Sequence, residues 1–188
     1  MKHNPYKIIQ MFEEEIAEYT GSPYAISLDS CTNAIFLCLK FLKVEGMEIE
    51  VPKQTYLSVP MSVVHAGAKP KFIDLEWSGI YRLKPTQVYD SAKRLTSNMY
   101  IQDSFMCLSF HIKKLISIGK GGMILTDNIE AEKWFKKARY EGRSEKFYKD
   151  DDINMIGWNM YMTKNPVKDI KRLLLKPQVA MANHLLLQ

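Results

Sequence analysis

The feature that most constrains this chain is a change of hydrophobic period that repeats along its first 127 residues. Tyr6, Ile9, Phe12, Ile16 and Tyr19 are spaced by three and four, which lays them along one side of a helix over 6–19. Thr20-Gly21-Ser22 ends that pattern, and Tyr24-Ala25-Ile26-Ser27-Leu28 reads as a short strand. Ser30 suits the N-cap of a helix running to about Lys43, with Ile35, Leu39 and Leu42 on one face. The alternation continues with a strand from Glu48 to Val51 that Pro52 stops, and a helix over 56–66 that tolerates Pro60 near its start. Lys71-Phe72-Ile73-Asp74-Leu75 is the next strand, and others are expected at Gln87–Asp90, Phe105–Phe110 and Met123–Thr126. A helix from Ile129 to about Arg139 comes next. Strands alternating with helices predict an α/β domain of three layers, with a mostly parallel central sheet covered on both faces. After Gly142 the pattern weakens: 145–154 reads as a polar loop, and 166–187 as helix in two pieces broken near Pro177.

Such a sheet needs apolar residues for both faces. Here 46% of the 188 residues are hydrophobic and 25% charged, the balance of a globular protein. No run of eighteen apolar residues is present, so a membrane span is not expected. Met1-Lys2-His3-Asn4-Pro5 lacks the apolar stretch of a signal peptide. Cys31, Cys38 and Cys107 are odd in number and lack metal-ligand spacing, so they read as reduced thiols of a cytoplasmic protein. The formal charge of +5 suits either a solvated basic surface or the attraction of a phosphorylated ligand. The lysines between Lys113 and Lys176 are spread over several elements and are not interleaved with aromatics, which argues against nucleic acid.

Four segments carry candidate chemistry, and each has a plainer reading beside it. Ser30-Cys31-Thr32-Asn33 opens a helix, where unpaired N–H groups and partial positive charge suit a phosphate; a simple cap is the alternative. Tyr89-Asp90-Ser91-Ala92 places an acid at a strand end, the edge of an open α/β sheet where ligands bind, although an aspartate there also makes an ordinary turn. Ser109-Phe110-His111-Ile112-Lys113-Lys114 leads into Gly119-Lys120-Gly121-Gly122 and another strand. Glycines let backbone approach a ligand, and a lysine amine can form a Schiff base with an aldehyde; a solvated lysine pair on a hairpin-like loop is the alternative. Gly157-Trp158-Asn159-Met160-Tyr161-Met162 alone says only that an aromatic turn is present.

Together, in this order, these segments resemble the DegT-type (StrS-type) sugar aminotransferases, which belong to the fold-type I enzymes that use pyridoxal 5'-phosphate (PLP). Leu108-Ser109-Phe110-His111-Ile112-Lys113-Lys114 and Gly119-Lys120-Gly121-Gly122 are similar to that family's Phe-Ser-Phe-His-x-x-Lys and Gly-x-Gly-Gly segments. Val51-Pro52-Lys53-Gln54-Thr55-Tyr56, Gly67-Ala68-Lys69-Pro70-Lys71-Phe72-Ile73-Asp74 and the Gly157–Met162 segment resemble three more of its motifs. The resemblance runs over roughly residues 8–162. It implies that Lys114 is the Schiff-base lysine and proton carrier, that Asp90 pairs with the pyridine nitrogen, and that Tyr56 stacks on the ring. It further implies that Thr32, Asn33 and Ser109 hold the phosphate, joined by Asn159 from the other subunit of a homodimer.

The implied activity is transamination of a nucleotide-linked keto-sugar, with glutamate as amino donor; the alternative is a PLP-binding remnant in a regulatory or scaffold role. The implied organisation is a shortened PLP-binding large domain over 1–142, then an interface loop and C-terminal helices over 143–188, without the family's C-terminal small domain. Between Leu83-Lys84-Pro85 and Tyr89-Asp90 the family inserts a further strand and helix, so the central sheet is expected to be short by one unit. Lys93 stands where the family carries Gln or His near the cofactor's phenolic oxygen, Cys31 replaces a glycine of the phosphate turn, and Tyr161 a basic residue.

Overall fold

The structure, a computed structural model, describes residues 6–163. In chain order the elements are α1 (Lys7–Thr20), β1 (Tyr24–Leu28), α2 (Cys31–Phe41), β2 (Glu48–Pro52), α3 (Ser58–His65), β3 (Lys69–Ile73), β4 (Tyr81–Arg82), β5 (Val88–Asp90), β6 (Phe105–Ser109), β7 (Gly122–Thr126) and α4 (Ile129–Ala138). A single 3₁₀ turn, Tyr148–Asp150, lies in the polar stretch expected to be loop. The helices expected over 166–187 lie outside the described residues.

Two of the helix starts, those of α2 and α4, are fixed by side chains that accept from free backbone donors. Ser30 is extended (φ −161°) and its hydroxyl accepts from Asn33 N–H, which fixes the first turn of α2. Asn128 caps α4 by accepting from the amides of Glu130 and Ala131. α1 stops where Gly21 takes a left-handed conformation (φ 73°) and returns its N–H to the last turn.

Five strands form one sheet in the order β1-β7-β6-β5-β4, and β2 and β3 form a separate parallel pair. The expectation of a mostly parallel sheet needs correction in its pairing. β7 lies antiparallel between β1 and β6, β4 is antiparallel to β5, and β5–β6 is the one parallel pair of this sheet. The cause is connection chemistry. β6 and β7 are joined by a loop rather than a crossover helix, and a loop returns the chain antiparallel. β1, β5 and β6 nevertheless point the same way, so their C-terminal ends share one edge.

β4, which the sequence did not indicate, folds back on β5 with Tyr81 opposite Asp90. Just beyond it, Lys84 C=O accepts from Glu50 N–H at 2.8 Å, so β2 is tied to the larger sheet by one backbone bond. β3 begins two residues earlier than the apolar run suggested, because Lys69 and Pro70 pair with Glu48 and Ile49.

Burial alternates along the central strands as a period of two demands. Ile26, Phe105, Cys107 and Ile124 face a core closed by α2, α4 and the β2–β3 pair, while Ala25, Met106, Leu108, Met123 and Leu125 face one closed by α1. The domain is therefore helix, sheet, helix in three layers, as expected. A buried ion pair crosses them: Arg139 of α4 contacts Glu13 of α1, and the Ser27 amide of β1 donates to the same Glu13 oxygen at 2.9 Å. Arg139 also donates to Ser27 C=O at 2.7 Å and pairs with Glu145 at 3.2 Å. Beyond this loop the chain returns to the body, where Trp158 N–H bonds to Ala138 C=O and Asp29 N–H to Met160 C=O.

Candidate functional site

The shared C-terminal edge of β1, β5 and β6 decides which side chains meet. β1 delivers Asp29 and Ser30 into the start of α2, β5 ends on Asp90, and β6 ends on Ser109 and runs into the loop that carries Lys114. β7 returns along the same edge, close enough that a Cβ on Gly122 would lie 2.2 Å from the carbonyl carbon of Ser30. Only glycine fits there, and the fit presses the lysine-bearing loop against the N-terminus of α2. The loop is closed by bonds from Phe110 N–H to Gly121 C=O and from Ile112 N–H to Gly119 C=O. Lys114 N–H turns back to His111 C=O at 2.8 Å, and the buried Ile116 and Ile118 anchor the stretch between Lys114 and Gly119.

These elements enclose a cavity of about 390 Å³ whose wall includes Thr32, Tyr56, Asp90, Ser109 and Lys114. Five of the eight residues singled out from the sequence therefore come together. Lys114 is half-buried, and Asp90 is only 6% exposed. Tyr56 is 78% exposed at the rim, free to cover a flat ligand. Thr32 Oγ1 donates to Ser58 Oγ at 2.9 Å, which joins the α2 start to α3.

The other three stand apart. Asn33 bonds through its side-chain amide to Asp29 at 2.6 Å, and Lys120 reaches the other oxygen of the same Asp29 at 3.2 Å. Lys93 sits over the Trp77 ring, 5.0 Å from its centre, outside the wall of this cavity. Asn159 is exposed and donates to Glu141 at 2.9 Å, with its backbone bridged to Tyr140.

Asp90 sets the electrostatics. Burial pushes its carboxyl above the usual carboxylate range, opposed by the Tyr81 hydroxyl, the Ala92 amide and the charges of Lys114 and Lys93. The Tyr81 hydroxyl donates to Oδ2 at 2.7 Å and the Ala92 N–H to Oδ1 at 2.9 Å. Each oxygen keeps a further lone pair, so the carboxylate can still accept from a ligand. Burial also raises the Cys31 thiol, with Asp90's charge adding to it, and the thiol lies against Cys107 C=O at 3.5 Å. A protonated thiol there is wall rather than nucleophile.

Tyr81 is the residue that sequence reasoning missed. Its ring is buried against Trp77, and its hydroxyl touches both Asp90 and Thr55. A two-residue strand shows no period, so only the alternation of Tyr81 and Leu83 before a proline turn hinted at it. The assembled site has an amine beside a buried carboxylate, hydroxyls at a helix N-terminus and an exposed aromatic lid. That set suits a flat, phosphorylated ligand bearing an electrophilic carbon.

Comparison with known proteins points the same way. The profile of the DegT/DnrJ/EryC1/StrS aminotransferase family matches residues 2–101 and 97–166. The spore coat polysaccharide biosynthesis protein SpsC of Bacillus subtilis is 36% identical over 69 residues, 36% of this chain and 18% of its own. The UDP-4-amino-4,6-dideoxy-N-acetyl-beta-L-altrosamine transaminase of Campylobacter jejuni is 23% identical over a match covering 81% of this chain and 52% of its own length. Among solved structures, the PLP form of Spr1654 from Streptococcus pneumoniae superposes with a TM-score of 0.72 at 20% identity, covering 93% of this chain and 59% of that one. The chain thus spans little more than half the length of relatives that it matches along most of its own.

Proposed function

The chain belongs to the DegT/DnrJ/EryC1/StrS aminotransferase family, and from that premise we propose that it binds pyridoxal phosphate through Lys114 and transaminates a nucleotide-linked keto-sugar, with glutamate as donor. One observation carries the reading: a half-buried lysine and a buried aspartate line one cavity of about 390 Å³ against the start of an α-helix. A volume of this order is what a small cofactor needs. The residues present fit the group, because the buried carboxylate keeps an open lone pair and the hydroxyls of Thr32 and Ser109 border the helix end.

Bound there, pyridoxal phosphate supplies an aldehyde for covalent attachment and a ring that accepts electrons from a carbanion. The chain supplies the rest. Asp90 holds a proton on the ring nitrogen, and its burial removes water that would weaken that bond. Lys114 Nζ takes a proton from the substrate carbon and returns it. Thr32, Ser109 and the amides opening α2 bind the phosphate, with Asn159 contributed by a partner copy. Tyr56, exposed at the cavity rim, would stack on the ring. Asn33 supports the same turn from its bond to Asp29, and Lys93, over Trp77 and outside the cavity wall, adds a positive charge that acts on Asp90.

The test is a spectrum. Purified protein with pyridoxal phosphate is expected to show a visible Schiff-base band that Lys114→Ala abolishes, and glutamate is expected to convert it to the pyridoxamine form. No band in the natural chain would overturn cofactor binding. A band indifferent to every amino donor would overturn transamination and favour the alternative, a cofactor-binding chain without turnover. The short β4–β5 hairpin, standing where the family is expected to carry a further strand and helix, is the observation on that side.

A further inference from the structure

β4 and β5 run antiparallel with Tyr81 directly opposite Asp90, so the two side chains share one face of the sheet. Both are buried. The Tyr81 ring packs on Trp77 with centres 4.6 Å apart, and the Trp77 indole N–H is tied to Gln54 C=O at 3.0 Å. From this fixed ring the hydroxyl reaches Asp90 Oδ2 at 2.7 Å on one side and Thr55 Oγ1 on the other.

A phenol has one proton to give. Facing a carboxylate, Tyr81 gives it to Asp90, so Thr55 is the donor in the other contact and the chain runs from Thr55 through Tyr81 to Asp90. Hydrogen bonds in such a chain polarise one another, which makes Tyr81 a stronger donor than it would be alone. Burial and the Asp90 charge hold its hydroxyl protonated, so the donor is not lost as pH rises. Asp90 needs that donor. Burial favours its neutral form, and a neutral acid cannot balance a protonated ring nitrogen. Tyr81 opposes this, together with the Ala92 N–H and the charges of Lys114 and Lys93. The thiols of Cys31 and Cys107, which also sense Asp90, are held protonated by their own burial.

We propose that Tyr81 is a positioning residue for Asp90: with Thr55 behind it, it fixes the carboxylate's orientation and keeps it charged for the ring nitrogen. The inference rests on the functional reading above and deepens it. Thr55 directly precedes Tyr56, so one hydroxyl chain joins the turn that carries the rim aromatic to the acid at the end of β5. None of the segments that carry the family resemblance includes Tyr81; its place comes from the register of a two-residue strand.

The test follows the titration of Asp90 in the full chain without cofactor, by carboxyl-carbon NMR of aspartate-labelled protein, with Asp90→Asn assigning the signal. Tyr81→Phe keeps the ring against Trp77 and removes only the hydroxyl; it is expected to raise the proton affinity of Asp90 about tenfold. Thr55→Val keeps the shape and removes the donor behind Tyr81, and a smaller shift in the same direction is expected. With cofactor loaded, conversion of the Schiff-base band by glutamate is expected to slow in the same order. A tyrosine that served packing alone would leave the Asp90 titration where it is. An unchanged midpoint in both variants, or a shift towards lower pH, would therefore overturn the proposal. If the natural chain shows no Schiff-base band, the functional reading fails separately, and the titration without cofactor still decides what Tyr81 does to Asp90.

Discussion

A carboxylate shielded from water must find partners or give up its charge, and Asp90 does some of each. Two donors hold it, yet burial still raises its pKa. A group whose folded value lies above its unfolded one favours the folded state while it is protonated. That contribution is complete below the ordinary carboxylate range and is lost as pH rises through the raised value. Asp90→Asn does not titrate there. The stability of the natural chain relative to this variant is therefore expected to fall as pH rises above the ordinary carboxylate range. Urea unfolding of both proteins across that rise measures it, and a difference independent of pH would refute the role given to burial. Asp90 was legible as a ligand-edge residue because an acid closing an apolar strand marks the C-terminal rim of a sheet. Tyr81 was not, because what matters is its register opposite Asp90, and register across a short hairpin leaves no periodic trace.

Elements were legible where period and caps agreed. The helices begin within two residues of their expected starts, and α2 and α4 do so where Ser30 and Asn128 capture backbone donors locally. Pairing direction was not legible, since a run of apolar residues reads the same in parallel and antiparallel neighbours. What decides it is the connection, and the glycine-rich segment before β7 returns the chain by a loop. Gly122 then fixes how closely that loop meets α2. Gly122→Ala would force a methyl group to within 2.4 Å of the Ser30 and Cys31 backbone. Backbone on both sides leaves no rotamer to relieve it, so a loss of roughly 3 kcal/mol or more is expected. Thermal or urea unfolding tests this, and a variant of natural stability would show that the contact gives way more easily than packed backbone should.

At the scale of the molecule, the proposed site draws on residues that one copy does not bring together. Asn159 lies on the surface beside Glu141, away from the cavity wall. If a partner copy supplies it, the defects in Lys114→Ala and Asn159→Ala sit in different chains. Mixing and refolding the two variants is then expected to restore the Schiff-base band in mixed dimers, each with one intact site. Absorbance after refolding measures it, and a mixture holding no more cofactor than the Asn159→Ala protein alone would place Asn159 outside the site. The exposed Leu57, Met61 and Val64 give α3 an apolar face on the same molecule. Arg139 carries a different consequence. The same guanidinium that clasps α1 and the backbone of Ser27 also holds Glu145 on the loop beyond α4. One guanidinium thus serves as the common tether for the loop beyond α4, the first helix and the strand that leads to Asp29 and Ser30.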